Sequence, residues 1–250
     1  MEPNEYERMY HVENQHWWYL GMAAITRALL NHTMEPVTSW KILDAGCGTG
    51  AAMSTYLADY GSVTGFDVSP LALQLCQRRN LTMLARASVT EIPFPSDSFD
   101  LITSFDVLYE QAVLKDTDAM HEFFRVLRPG GFLFLRLPAY DWLRGHHDVT
   151  IHTARRYTIK TVTRLLEDSG FRTARITYAN TFLFPLALAK RLSERIWPPA
   201  PDSSDLSMDF GVFNGLFKQI LSSEARLVTH MALPFGLSVL ALGQKPYANQ

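Results

Sequence analysis

Short apolar runs alternate with stretches of helical periodicity between Trp40 and Leu137. The runs are rich in β-branched and aromatic residues, and they lie at residues 40–45, 62–67, 81–87, 99–105 and 132–138. Strands that alternate with helices are typical of a parallel sheet flanked by helices. The sequence therefore predicts an α/β core.

The composition supports one substantial core and disfavours several classes of protein. Of the 250 residues, 47% are hydrophobic and 19% are charged, which is an ordinary globular balance. The 23 basic and 25 acidic residues nearly cancel, so no basic surplus would attract nucleic acid. The two cysteines, Cys47 and Cys76, are too few for a disulfide framework and favour a cytoplasmic protein. The longest apolar stretch, residues 181–192, is shorter than the ~20 residues that cross a bilayer, so no stable membrane insertion is expected.

Further segments are expected around this core. Residues 1–36 predict an N-terminal helical lid segment. Residues 37–180 and 235–250 supply the core, which closes with a strand in GLSVLALGQK, and residues 181–234 predict a helical cap inserted before that strand. The apolar faces of the cap could roof a small-molecule site, form a homodimer or touch a membrane surface, and the sequence leaves these alternatives open.

Glycines follow Asp44 at the end of the first predicted strand, in the sequence DAGCGTG. Glycines let a backbone approach a ligand closely, and the N-terminus of the next helix favours a carboxylate or a phosphate. Asp67 ends the second predicted strand, where its carboxylate can accept hydrogen bonds from ribose hydroxyls. Gly46, Gly48 and Ala51 also satisfy the dinucleotide fingerprint, so the glycine spacing alone leaves a nicotinamide cofactor or a purely structural turn open.

Motifs along the core occur in an order and spacing that resemble the class I S-adenosylmethionine-dependent methyltransferases. They are ILDAGCGTG (42–50), VTGFDVSP (63–70), EIPFPSDSFDLITSFDVL (91–108) and RVLRPGGFLFL (125–135). The resemblance implies a Rossmann-like, seven-stranded, mostly parallel sheet with helices on both faces, in which the last strand enters as an antiparallel hairpin. It also implies S-adenosyl-L-methionine as the cofactor of a methyltransferase that acts on a small molecule. A looser resemblance covers HWWYLG (16–21) and residues 146–158.

Carried onto this sequence residue by residue, the resemblance implies a set of cofactor contacts. Asp44, Gly46, Cys47 and Gly48 would surround the methionine portion, and Asp67 would bind the ribose. Val68, Ser88 and Val89 would contact the adenine, and Phe105 would line the sulfonium end. Ser88 stands where the family often has an aspartate, and its hydroxyl can still accept a hydrogen bond from the adenine amino group. Met22 and Ala23 stand where relatives often have arginines, so Arg27 or backbone amides would hold the cofactor carboxylate.

Three histidines, His146, His147 and His152, lie close together in the loop after the fifth predicted strand. Ligands of open α/β sheets bind at the carboxyl ends of strands, and histidine is a suitable general base for an alcohol or a weakly acidic carbon. His152 lies four residues after Asp148, so a helical turn would pair them. We therefore expect a catalytic base here, with His152 first and His147 second, unless the histidines only bond the loop to itself. No metal site is expected.

Aromatic and basic residues are predicted to contact the substrate: Trp17, Trp18, Tyr109, Tyr140, Arg155 and Phe184. The two tryptophans suit a lid or simple packing on the core, and Arg155 suits an anionic substrate group or a helix end. The aromatic stripe of the cap favours an apolar or aromatic acceptor. Two further functions stay open: an S-adenosylmethionine-binding enzyme that performs another reaction such as cyclisation, and a regulatory binding protein.

Overall fold

A mixed sheet lies at the centre of the part of the chain that the computed structural model describes, namely residues 2–34, 39–145, 148, 152–196, 211 and 213–247. Within that part its seven strands are β1 (Trp40–Ala45), β2 (Gly61–Asp67), β3 (Leu84–Arg86), β4 (Phe99–Phe105), β5 (Leu127–Pro138), β6 (Arg172–Ala179) and β7 (Ser238–Gln244). They are ordered β3-β2-β1-β4-β5-β7-β6. β1 to β5 pair in parallel, and β7 runs antiparallel between β5 and β6. The structure thus confirms the Rossmann-like sheet and its antiparallel last strand.

Helices pack on both faces of this sheet. Within the described residues they are α1 (Pro3–Val12), α2 (Trp17–Thr33), α3 (Ala51–Thr55), α4 (Pro70–Arg78), α5 (Asp116–Val126), α6 (Ile159–Asp168), α7 (Phe184–Ile196) and α8 (Phe213–His230), with short 3-10 turns at Leu57–Asp59 and Asp141–Leu143. The sequence predicts helix starts at Ser69-Pro70 and at Thr158. Both starts are confirmed, because Ser69 accepts the Ala72 amide at the start of α4 and Thr158 caps α6. None of the described helices combines the length and the apolarity that a membrane span requires.

The central strands are buried on both faces, which explains their nearly continuous apolar sequences. Ile42 and Leu43 of β1 and Leu101 and Ile102 of β4 are inaccessible to solvent. β1 pairs with β2 on one side and with β4 on the other, so the order of connection reverses at β1. A crevice opens at the carboxyl ends of the strands where such a reversal occurs.

Two elements differ from the sequence prediction. The spacing of Met53, Tyr56, Leu57 and Tyr60 predicts one helix over residues 51–60, but α3 ends at Thr55 and a 3-10 turn follows it. The fifth strand is predicted over residues 132–138, but β5 already begins at Leu127, where it pairs with Phe99. A register shift between Phe99 and Leu101 accommodates the additional residues of β5.

The N-terminal segment contacts the cap through α2 and α8, and we call α2, α7 and α8 together the roof. α2 packs along α8, with the rings of Trp17 and Phe217 5.7 Å apart. The Trp17 amide donates to Oδ1 of Asn214 at 2.9 Å, across a sequence separation of 197 residues. A Cβ at Gly21 would lie 2.6 Å from Cγ of Leu221, so the two helices approach closely there. Segments that are remote in sequence therefore cover the carboxyl edge of the sheet together.

The close approach of α2 and α8 predicts opposite effects for two glycine-to-alanine changes. Alanine at Gly215 of α8, where a Cβ would meet nothing within 4 Å, should raise the free energy of unfolding by about 0.5–1 kcal/mol through helix propensity. Alanine at Gly21 should lower it by about 1–3 kcal/mol, because the added methyl group overlaps Leu221. Urea unfolding followed by circular dichroism measures both variants. Equal stabilisation by the two changes would contradict the packing of α2 on α8.

Candidate active site

A cavity of about 1280 Å³ opens where the carboxyl ends of β1, β2 and β4 meet the roof. Every residue that the resemblance assigns to the cofactor lies in its wall: Asp44, Gly46, Cys47, Gly48, Asp67, Val68, Ser88, Val89 and Phe105. These residues are far apart in sequence, and they meet because each one ends or follows a strand at the same edge of the sheet. Their individual roles remain predictions of the resemblance.

The glycine loop (residues 44–50) presents backbone rather than large side chains to this cavity. Gly46 and Gly48 adopt φ angles of +76° and +54°. A Cβ at Gly46 would lie 2.4 Å from Cγ2 of Val107, so a larger residue would displace its neighbour. The Gly48 amide donates to Oδ2 of Asp67 at 3.0 Å, which joins the loop to the end of β2. The loop is therefore a backbone cradle that a ligand can approach closely.

Asp67 is buried at the end of β2 and keeps the capacity to bind a ligand. Its Oδ1 accepts the Ser69 amide at 2.9 Å, and its Oδ2 accepts the Gly48 amide. A carboxylate oxygen accepts more than one hydrogen bond, so both oxygens can still receive a hydroxyl group. Burial raises the pKa of Asp67, while the hydrogen bonds from the Ser69 and Gly48 amides lower it.

Asp44 is the buried acid at the end of β1. Its register partner in β4 is Thr103, whose hydroxyl donates to Oδ1 of Asp44 at 2.7 Å. Burial raises the pKa of Asp44 to about 6, although the Thr103 hydrogen bond and the charge of Arg136 both lower it. This carboxyl group therefore changes its charge just below neutral pH.

Arg136 belongs to a half-buried ion pair that the sequence analysis missed. Its Nε lies 2.6 Å from Oδ2 of Asp106, and both residues line the cavity. The guanidinium carbon lies 4.8 Å from the ring centroid of Trp18 and 4.7 Å from that of Phe105. These contacts hold the cation against aromatic faces. The available signal was a charged residue in the otherwise apolar run FLFLRLP, because such residues are rarely buried without a partner.

A second missed cluster ties the N-terminal segment to the glycine loop. Glu13 accepts a hydrogen bond from the Thr49 hydroxyl and another from Nη2 of Arg79, the latter at 2.5 Å. Arg79 also donates through Nε to the Thr49 carbonyl at 2.9 Å, and its guanidinium carbon lies 4.5 Å from the ring centroid of Tyr10. Burial raises the pKa of Glu13, and the hydrogen bonds from Thr49 and Arg79 oppose that shift. Because Glu13 and Thr49 line the cavity, this cluster closes its glycine-loop end.

The histidine loop is arranged differently from the prediction. Two of its three histidines lie outside the described residues, namely His146 and His147. His152 does not line the cavity as described, and its Nε2 lies 3.0 Å from Oε1 of Glu2. Asp148 instead accepts two hydrogen bonds from Arg156, at 2.9 Å and 3.0 Å. The predicted pairing of His152 with Asp148 is therefore wrong, because a guanidinium engages both oxygens of that carboxylate.

Among the described residues, His16 is the histidine that lines the cavity. Its Nδ1 accepts the amide of Trp18 at 3.3 Å and so caps the N-terminus of α2. Burial lowers the pKa of His16, so the ring is neutral at neutral pH. A neutral ring that accepts at Nδ1 carries its proton on Nε2 and can donate there. Within the same described ranges, no group of three or more histidine, cysteine or acidic side chains is placed to hold a metal ion.

The predicted substrate contacts divide into two groups. Those in the cavity wall are Trp17, Trp18 and Tyr109. In the described part of the chain, the predicted contacts that lie outside the cavity wall are Tyr140, Arg155 and Phe184. Tyr140 stacks on Tyr178 with ring centroids 5.2 Å apart, and Phe184 packs against Phe235 at 5.3 Å. Arg155 donates to a main-chain carbonyl at 2.7 Å, so these three side chains make structural contacts here.

Residues 43–135, which run from β1 into β5, match the family described as "Methyltransferase domain". Demethylmenaquinone methyltransferase from Clavibacter sepedonicus is 31% identical over 117 residues, which are 45% of this chain and 46% of that protein. The chain thus aligns with less than half the length of this relative. An S-adenosylmethionine-dependent methyltransferase from Thermotoga maritima has a similar structure, with a TM-score of 0.59, 14% identity and coverage of 97% of this chain and 95% of that one. The [4+2]-cyclase SpnF also has a TM-score of 0.59, with 18% identity and coverage of 90% of this chain and 81% of that one.

Residues 43–135 therefore match a methyltransferase domain, and the sheet to which they belong has the Rossmann-like fold of the methyltransferases. The cofactor of that family is S-adenosylmethionine. The described cavity fits it, because the backbone cradle at Gly46 and Gly48 would be filled by any Cβ and lies beside the buried carboxylate of Asp67. The family match ends at residue 135, so the roof lies outside the matched region.

Asp67→Ala should weaken the binding of S-adenosylmethionine about 30- to 1000-fold, because two hydrogen bonds to a charged acceptor would be lost. Asp118→Ala is the matched control, since Asp118 is exposed in α5 and does not line the described cavity. Isothermal titration calorimetry measures both affinities. If the Asp67 variant bound the cofactor within about threefold of the parent, Asp67 would not belong to the cofactor site.

The raised pKa of Asp44 predicts that a rise in pH has opposite effects on the affinity for S-adenosylmethionine and on the stability of the fold. Below about pH 6 the carboxyl group is protonated, so the affinity for S-adenosylmethionine, whose amino group is positive, should fall by up to about tenfold per pH unit. The folded-state pKa lies above the ordinary value of 3.8, so the stability contributed by Asp44 is present at low pH and is lost as the pH rises through about 6. Calorimetry and denaturant unfolding across this range measure the two effects. Asp44→Asn should remove both, and a parent affinity that is constant across the range would contradict the assignment.

Proposed function

We propose that the protein transfers a methyl group from S-adenosylmethionine to a small, apolar or aromatic metabolite. The observation that carries this proposal is a single cavity that joins the glycine loop to the roof. Its volume of about 1280 Å³ exceeds the roughly 300–1,000 Å³ of ordinary ligand sites, so a cofactor and an acceptor can occupy it together.

The roof supplies an apolar wall for the acceptor. Its contributions to the cavity include Trp17, Leu186, Ala187, Phe213 and Phe217. Pockets of this composition bind apolar ligands and orient them through a few polar groups. The relative from Clavibacter sepedonicus, named as a demethylmenaquinone methyltransferase, also supports a small-molecule acceptor.

Catalysis in this proposal depends on positioning. Bound S-adenosylmethionine supplies an electrophilic methyl group. The transfer is an in-line displacement, so the cavity has to align the acceptor and exclude water. Burial raises the pKa of Tyr19 and of Tyr109 well above the usual phenol value, so both side chains stay protonated and can donate hydrogen bonds. Because His16 already accepts a hydrogen bond at Nδ1, the described wall favours an acceptor that is nucleophilic without a histidine base.

His146 and His147 remain candidate bases, while the contact of His152 with Glu2 argues against His152. A cytoplasmic location and a homodimer formed through the cap are proposed on the sequence alone.

A reaction without methyl transfer is the second candidate. The fold is shared with the [4+2]-cyclase SpnF, and a cavity that works by positioning would serve a cyclisation equally well. The two reactions differ in their products, because methyl transfer converts the cofactor to S-adenosylhomocysteine and cyclisation leaves it unchanged.

The test is to incubate the purified protein with methyl-deuterated S-adenosylmethionine and an organic-solvent extract of small metabolites. Liquid chromatography with mass spectrometry should detect S-adenosylhomocysteine and a labelled apolar product in equal amounts. A cofactor-dependent product that carries no label, without S-adenosylhomocysteine, would favour cyclisation. A protein that fails to bind S-adenosylmethionine would contradict both candidates.

Phe217→Ala then tests the assignment of the roof to the acceptor. Loss of this ring from the cavity wall should raise the KM of the labelled acceptor about fivefold or more and leave the Kd of the cofactor unchanged. Leu114→Ala is the control, because Leu114 is 84% exposed and lies outside the described cavity wall. Steady-state kinetics and calorimetry separate the two constants. A change in cofactor affinity with an unchanged KM would place the acceptor elsewhere.

A further inference from the structure

We propose that Asn180 recognises an oxygen of the methyl acceptor at the end of the cavity remote from methyl transfer. The acceptor is then an elongated molecule with an apolar body, the methylated atom near one end and a polar oxygen group near the other. This inference rests on the proposed function and specifies the class of its substrate.

The carboxamide oxygen of Asn180 lacks a hydrogen-bond partner in the described structure. Asn180 follows directly after β6, is 1% exposed and lines the cavity. Its Oδ1 has no hydrogen-bond partner among the described residues. Buried side-chain amides in folded proteins are nearly always hydrogen-bonded, because an unpaired one loses its hydration without compensation. An unsatisfied amide in the wall of a ligand cavity therefore points to a ligand group that satisfies it.

The backbone at Asn180 is held in place by the roof. Asn180 has a φ of +60°, in the left-handed region that asparagine tolerates better than most residues. The carboxylate of Glu224 in α8 accepts the amides of Asn180, Thr181 and Phe182 at 2.7, 2.7 and 2.8 Å. Glu224 is itself inaccessible to solvent. A buried carboxylate that engages three consecutive amides keeps the turn rigid, so Asn180 is positioned before any ligand arrives.

The strand order places this amide far from the cofactor end. Phe105 ends β4, and β6 lies three strand positions away across β5 and β7. At about 4.8 Å per strand, the lateral separation is about 14 Å. Pro138, Ser238 and Ala179 are register partners along one row of the sheet, so Asn180 continues the same carboxyl edge. A molecule that reaches from Phe105 to Asn180 must therefore be elongated.

Apolar side chains contribute to the surface between these two points. They include Pro138, Leu183 and Leu237, all of which line the cavity. An alkyl, isoprenoid or fused-ring body would fill this part, and Asn180 would fix its far end through hydrogen bonds. The unsatisfied Oδ1 accepts a hydrogen bond, so the polar group at the far end must donate one, and a hydroxyl group suits it.

The test compares two binding probes that differ in one distal oxygen, the α,ω-diol of decane and the mono-alcohol decanol. Isothermal titration calorimetry is run on the full chain saturated with S-adenosylhomocysteine. The ratio of the decanol Kd to the diol Kd should be about 3- to 10-fold larger in the parent than in Asn180→Gly, because the variant lacks the carboxamide. Asn180→Ala is measured alongside and should give the same reduced ratio, so the result does not depend on the backbone freedom of glycine.

Asn80→Gly is the matched control. Asn80 also has a positive φ, of 62°, but it is exposed after α4 and does not line the described cavity. Its probe ratio should equal that of the parent. Equal ratios in the parent and both Asn180 variants would overturn the inference and leave the proposed function intact if S-adenosylhomocysteine still binds. Failure of the parent to bind S-adenosylhomocysteine would overturn the proposed function itself, together with the inference that rests on it.

Discussion

Parallel pairing of β1 with both β2 and β4 decides where the groups at the cofactor end of the cavity lie. The register places Asp44 opposite Gly65 on one side and opposite Thr103 on the other. The strands therefore finish at one edge, and the loops that follow them converge. The hydrogen bond from the Thr103 hydroxyl to Asp44 and the one from the Gly48 amide to Asp67 both follow from this register. The glycine loop is held by the sheet before it contacts any ligand.

This dependence explains why the sequence could predict that the glycine loop, Asp67 and Phe105 meet at one cavity. Gly46 and Gly48 follow β1, Asp67 ends β2 and Phe105 ends β4, so correct strand assignments convert chain order into spatial proximity. The strand boundaries are marked by local features, namely apolar runs and helix caps such as Ser69, and such features need no knowledge of tertiary contacts. The extension of β5 was missed because pairing with β4 overrides the tendency of RPGG to form a turn.

The other groups of the cavity depend on contacts that local patterns do not report. Arg136 pairs with Asp106 across 30 residues, and Arg79 pairs with Glu13 across 66. The pairing of His152 with Asp148 was predicted only from their spacing in the sequence. In the folded chain the guanidinium of Arg156 binds both carboxylate oxygens of Asp148, which a single imidazole could not do. Buried ion pairs cost desolvation energy and are weak evidence for stability. Their positions, where the N-terminal segment and the loops meet the sheet, suggest that they specify how these segments dock.

The position of β7 has a consequence for the order in which the molecule can be assembled during translation. In the described sheet β6 pairs with β7 alone, and β7 follows every other described strand in sequence. Synthesis proceeds from the N-terminus, so β1 to β5 can pair on the ribosome while β6 still lacks its neighbour. The contact of α2 with α8 spans 197 residues and has to wait as well. In a nascent chain β1 to β5 can therefore form first, and the face of α2 that packs on α8 stays uncovered until α8 has been synthesised.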